Sequence, residues 1–100
     1  MTRLSAATLP QPLAYDRAAT TLGVVHFGPG AFFRAHQASY VDALLATDPR
    51  WAISAVALKT AGVRDALGPQ DGLYTLVELG ETTRFRVIGA IRELLVASED

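Results

Sequence analysis

Six residues, Leu-Gly-Val-Val-His-Phe at 22–27, run straight into Gly28-Pro29-Gly30 and then into a stretch that meets no further glycine or proline until Pro49. The apolar run is too short for three helical turns and suits a strand buried in a parallel sheet. Beyond the glycines, Ala35, Ala38, Val41 and Leu45 recur at helical spacing, which predicts one helix over 31–46. A second short apolar run at 53–58 (Ile-Ser-Ala-Val-Ala-Leu) predicts another strand. Strand, helix and strand within about 35 residues is the size of one crossover unit, and such crossovers are right-handed.

The flanks are less regular. Residues 1–21 are rich in Ala, Thr and Pro, and Pro10 and Pro12 break any helix there, so they read as an arm leading into the domain at 22–100. Thr60 is placed to cap a short helix over 61–67, with Gly68 as its left-handed stop and Pro69 preventing continuation. The β-rich runs 73–79 and 84–90, separated by Gly80-Glu-Thr-Thr, predict an antiparallel hairpin, and 91–97 reads as a final helical turn or two. Trp51, after Pro49-Arg50, is expected to anchor the helix-to-strand connection in the core. The fold class is therefore α/β, a strand-helix-strand unit plus a hairpin with an incomplete parallel sheet. Its open apolar strand edges imply marginal stability for these residues alone.

Composition removes several functional classes. Nine Lys and Arg against ten Asp and Glu are dispersed and leave a net charge of −1, so no positive stripe exists for nucleic acid. Cysteine is absent, which excludes disulfides, thiolate metal sites and Cys nucleophiles. The two histidines, His26 and His36, form no recognisable zinc constellation. Neither a leader's apolar core nor a membrane-length apolar run is present, so a cytoplasmic location is expected.

The glycine turn carries the chemistry. At a strand-to-helix junction, glycine lets the main chain turn tightly and approach a ligand with no Cβ in the way. The helix that follows offers free N–H groups and the positive end of its dipole, which suits a pyrophosphate. The usual G-x-G-x-x-G fingerprint would put a third small residue at Phe33, so only its first two glycines are present. On the glycines alone, an ordinary strand-to-helix loop stays open as an alternative.

The flanking residues narrow the choice. The run Gly28-Pro-Gly-Ala-Phe-Phe-Arg-Ala-His-Gln-Ala38 resembles the G-x-G-x-F-x-R-A-H run of the mannitol dehydrogenase and fructuronate reductase family. The resemblance continues, in the family's order, through the segments at 51–58, 70–78 and 87–91. It implies a Rossmann-like domain that binds NAD(H) or NADP(H), in front of a mostly helical domain that carries the catalytic residues and takes a polyol or sugar-acid substrate. The pairs implied are mannitol with fructose, or mannonate with fructuronate. The family's catalytic motif is Lys, then Asn five residues on, then His five beyond that, its lysine acting as general base without a metal. The sole lysine here, Lys59, is followed five residues later by Arg64, so the motif is missing and no catalytic residue is assigned. The chain looks like the front part of such an enzyme; a free-standing nucleotide-binding module is the alternative from a different class.

Candidate cofactor-binding residues are Phe27, Gly28, Pro29, Gly30, Ala31, Phe32, Phe33, Arg34 and Lys59. Where a NAD-preferring site has an Asp or Glu to accept from the ribose hydroxyl, Lys59 and Thr60 stand instead. A cation there favours a 2′-phosphate, so NADP is admissible beside NAD; a solvated surface lysine is the plain alternative. One of Phe32 and Phe33 is expected to pack beneath the turn and the other to face the cofactor or the substrate domain. His26 is expected to be a core-facing strand residue with a satisfied ring nitrogen. Gln70, Asp71 and Tyr74 form a polar cluster that ordinary turn chemistry explains.

Overall fold

The computed structural model describes residues 4–58 and 61–97. A 3-10 turn (Arg17–Ala19) precedes β1 (Leu22–Phe27), α1 (Ala31–Ala35), α2 (Gln37–Leu44) and β2 (Ala52–Ala57). Then come α3 (Gly62–Leu67), β3 (Tyr74–Glu78), β4 (Arg84–Ile88) and β5 (Ile91–Val96). β1, β2 and β5 form a parallel sheet in that spatial order, and β3 and β4 form a separate two-stranded antiparallel sheet.

The expected strand-helix-strand unit is present, with β1 at the predicted residues and β2 displaced by one. The expected helix at 91–97 is not: Ile91–Val96 is a third strand, hydrogen-bonded parallel to β2. Arg-Glu-Leu-Leu is good helix-forming sequence, but the open edge of β2 offers a full ladder, and pairing there overrides the local preference. Ile91 and Val96 become fully buried, and the Ser54 hydroxyl donates to Glu93 Oε1 at 2.7 Å across the paired strands. The parallel sheet thus has three strands, with α3 and the hairpin acting as the second crossover.

The predicted continuous helix is bent. His36 leaves helical geometry (φ −112°, ψ −80°) and divides it into α1 and α2. The Ser39 hydroxyl donates to the carbonyls of Ala35 and His36 at 3.0 and 2.7 Å, a side-chain intrusion of the kind that bends helices. Gly68 is not the left-handed stop of α3, because its φ of −53° is right-handed helical. The chain passes into a 3-10 turn at Gly68–Gln70, and Asp71 (φ 59°) takes the left-handed position, which Asp tolerates better than most residues. Thr60, its expected cap, lies outside the described residues.

Ile53, Leu45, Leu73, Ile88, Ile91 and Val96 are the largest fully buried side chains, each contributing about 1.5–3 kcal/mol by burial. Trp51 is not among them. Asp48 caps the 3-10 turn Pro49–Trp51 and draws both neighbours outward: Arg50 pairs with it at 2.8 Å, and the Trp51 indole N–H donates to its Oδ2 at 2.8 Å. The arm is tied down by Arg17, which donates to the carbonyls of Gly89 and Ile91 at 2.9 and 2.8 Å.

Candidate functional site

β1 ends at the same edge of the sheet as β2 and β5, since Phe27 pairs with Val56 and Ala57 with Val96. Ligands of open α/β sheets sit outside that edge. The Gly28 N–H continues the ladder by donating to the Val56 carbonyl at 2.9 Å, and the chain then turns sharply. Gly28 takes φ +90°, a conformation L side chains rarely adopt. Gly30 donates back to the Gly28 carbonyl at 2.9 Å across the buried Pro29, closing a three-residue turn.

Gly30 occupies the N-cap position of α1 and makes no side-chain capping bond. The first helical bond is Arg34 N–H to the Gly30 carbonyl at 3.0 Å, so the amides of Ala31, Phe32 and Phe33 precede the ladder. Apart from chain neighbours, a Cβ at Gly28 or Gly30 would meet no atom of the described residues within 4 Å. Free amides beside open space are what a phosphate-bearing ligand needs from a backbone, so these residues fit a dinucleotide.

Phe33 is the ring that packs beneath the turn, with 6 % of its surface exposed, and it stacks on His26 with centroids 3.7 Å apart and planes 5° apart. His26 is half-buried and lies stacked against that ring. Phe32 is 76 % exposed and tilts against His36 at 4.3 Å. Phe27 is also largely exposed, so two aromatic faces border the turn. The structure therefore brings Phe27 through Arg34 together around one turn, whereas Lys59 lies outside the described residues.

Two features escaped the sequence reading. Tyr74, which the sequence reads as ordinary turn chemistry, reaches back to the site: its hydroxyl donates to the Arg34 carbonyl at 2.7 Å. A cavity of about 590 Å³ lies between the arm and the hairpin, is lined by Pro10, Pro12, Leu13, Phe85 and Arg86 among others, and takes none of its lining from the glycine turn.

The family model for the mannitol dehydrogenase Rossmann domain matches residues 22–100. The chain belongs to the mannitol dehydrogenase family. Within that family it is 43% identical, along its whole length, to the mannitol 2-dehydrogenase of Phaeosphaeria nodorum, of which it spans 18%. Against the polyol:NADP oxidoreductase of Gluconobacter oxydans the identity is 40%, again over the whole chain and 22% of that relative. The mannitol 2-dehydrogenase of Pseudomonas fluorescens, solved with NAD and D-mannitol, superposes with a TM-score of 0.81 at 46% identity. That match covers 88% of this chain and 19% of the other. A D-sorbitol dehydrogenase structure gives 0.80 at 40% identity over 86% and 19% respectively. The chain thus spans about a fifth of the relatives it matches, and the fold is the Rossmann portion of these mannitol dehydrogenases. No described helix is long and apolar enough to cross a membrane.

Proposed function

We propose that this chain binds NAD through Phe27 to Arg34 and forms the front part of a cytoplasmic oxidoreductase interconverting a polyol or sugar acid and its keto form. In this reading residues 1–21 are an arm and 22–100 the first part of the dinucleotide-binding domain. The observation that carries it is the Gly28–Gly30 turn, with three amides ahead of the helical ladder and open space where side chains would otherwise stand. The chemistry NAD supplies when bound is acceptance and return of a hydride. The chain's own residues bind and orient: the amides of Ala31 to Phe33 face negative charge, and Phe27 and Phe32 offer apolar faces beside it.

Relatives described as a mannitol 2-dehydrogenase complexed with NAD and D-mannitol, and as a polyol:NADP oxidoreductase, support a polyol substrate and either cofactor. Mannonate with fructuronate is the sugar-acid counterpart within this reading. Lys59, standing where an acidic residue would select NAD, makes NADP acceptable as well. The test is calorimetric titration of NADH and NADPH into the chain, with Lys59→Ala alongside. Saturable binding of NADH, and a loss on Lys59→Ala confined to NADPH, are the expected results; absence of heat with both cofactors overturns the assignment.

A further inference from the structure

Two glycines away from the glycine turn mark where the arm sits. A Cβ on Gly89 would stand 2.8 Å from the Tyr15 hydroxyl and 3.1 Å from side-chain carbons of both Leu13 and Leu73. One on Gly72, which holds φ +78°, would stand 2.7 Å from the Ile91 carbonyl oxygen and 3.2 Å from Arg17 Nη2. The bare Cα atoms leave a socket, and side chains of the arm fill it. The arm itself precedes the residues matched by the family model.

Side chains fasten the arm at several points. Asp71, beside Gly72, accepts from Ala6 N–H at 2.9 Å. Tyr15 donates to the Asp42 oxygen that also receives Gly89 N–H. Arg17 donates through Nε to the Gly89 carbonyl and through Nη2 to the Ile91 carbonyl, so one guanidinium spans the junction of β4 and β5. From β5, Arg92 reaches back over the arm and donates to the carbonyls of Arg17 and Thr20 at 2.8 and 3.1 Å. Asp71 and Gly72 lie just before β3, and Gly89 just after β4, so the arm grips both ends of the hairpin. The hairpin needs such a hold: β3 and β4 form a sheet of their own, apart from the ladder of β1, β2 and β5, and two strands alone are marginally stable.

We propose that residues 4–20 are a strap. Tyr15 and Arg17, seated against Gly72 and Gly89, hold the two ends of the hairpin, and arm and hairpin open and close as one unit while β1 and β2 stay paired. Tyr74 of the same hairpin donates to the Arg34 carbonyl at 2.7 Å, so the closed strap also steadies α1.

The test is native-state hydrogen exchange of the whole chain in low urea, read amide by amide. In the unaltered chain Ala6, Ala19, Gly89 and the β3–β4 amides should open with one common urea dependence, distinct from that of the β1–β2 ladder. Arg17→Met removes the bridging guanidinium from the arm, and Gly89→Ala fills the socket from the other side. Each should speed exchange in the hairpin about tenfold or more and leave the β1–β2 ladder within about twofold. The strap is overturned if arm and hairpin open with separate urea dependences, if hairpin exchange is unaltered in both variants, or if every strand speeds up alike. The first of these outcomes is read on the unaltered chain, so it decides even where a variant fails to fold.

Discussion

The Tyr15 hydroxyl donates to Asp42 Oδ1 at 2.6 Å, joining the N-terminal arm to α2 beneath the hairpin. The same oxygen accepts from Gly89 N–H at 2.8 Å, and Arg86 pairs with Oδ2 at 3.1 Å. Asp42 is itself buried, so three elements converge on one carboxylate shielded from water. Its removal strands a buried amide and a half-buried hydroxyl together. Asp42→Ala should therefore destabilise the chain by about 2–4 kcal/mol, and Tyr15→Phe, which loses one bond and no packing, by about 1 kcal/mol. Urea unfolding followed by far-UV circular dichroism checks both, and equal midpoints for the two variants would contradict the ranking.

The same contact sets an alkaline limit. Burial first, and then the hydrogen bond to Asp42 and the charge of that residue, raise the Tyr15 pKa far above its ordinary value. Burial does the same for Tyr74. A group whose folded pKa is raised contributes stability that is complete below its unfolded pKa and is lost as pH climbs beyond it. For tyrosine that point is about 10. The thermal midpoint should accordingly be flat through neutral pH and fall above about pH 10, less steeply in Tyr15→Phe. A Tyr15→Phe midpoint falling in parallel with the unaltered chain would remove Tyr15 as the cause.

The parallel strands β1 and β2 were readable because each is a short apolar run bounded by turn residues, and burial between neighbours dictates that composition. β5 was not. Arg92, Glu93, Leu94 and Leu95 suit a helix equally well, and only the vacant edge of β2, a tertiary fact, decides between them. The bend at His36 was hidden for a similar reason, since Ser39 reveals its effect only through the two carbonyls it reaches. At the site, Gly28 and Gly30 announced themselves because glycine's freedom is local. The contact between Tyr74 and Arg34 spans forty residues and leaves no local pattern.

Gly23 tests how closely β1 is packed at its start. A Cβ there would stand 2.1 Å from the Arg50 carbonyl oxygen and 2.9 Å from the Trp51 ring. The first obstacle is backbone, which does not yield as a side-chain tip does. Gly23→Ala should destabilise by about 1–3 kcal/mol, the range of overpacking, through displacement of the Pro49–Trp51 turn. Trp51 fluorescence reports that displacement directly; an unshifted emission spectrum with an unchanged unfolding midpoint would show that the turn stays in place and that β1 accepts the methyl group without penalty.

Gly28 and Gly30 are two residues apart and should respond differently to the same substitution. Both have open space where a Cβ would stand, so neither change creates a clash in the free protein. Gly28, however, holds φ +90°, and forcing an L side chain into that region stores about 1–3 kcal/mol of strain. Gly30 has an ordinary φ of −72°, so Gly30→Ala costs the fold about 1 kcal/mol at most, the difference between Gly and Ala at an N-cap. If the space in front of the turn is where paired phosphates approach the amides, the new methyl group nonetheless blocks them. Gly30→Ala should then melt close to the unaltered chain while binding NADH at least about tenfold more weakly, whereas Gly28→Ala should lose both stability and affinity. Calorimetric titration paired with thermal melting separates the two effects. Undiminished NADH affinity in a well-folded Gly30→Ala would mean that the cofactor does not approach through this turn.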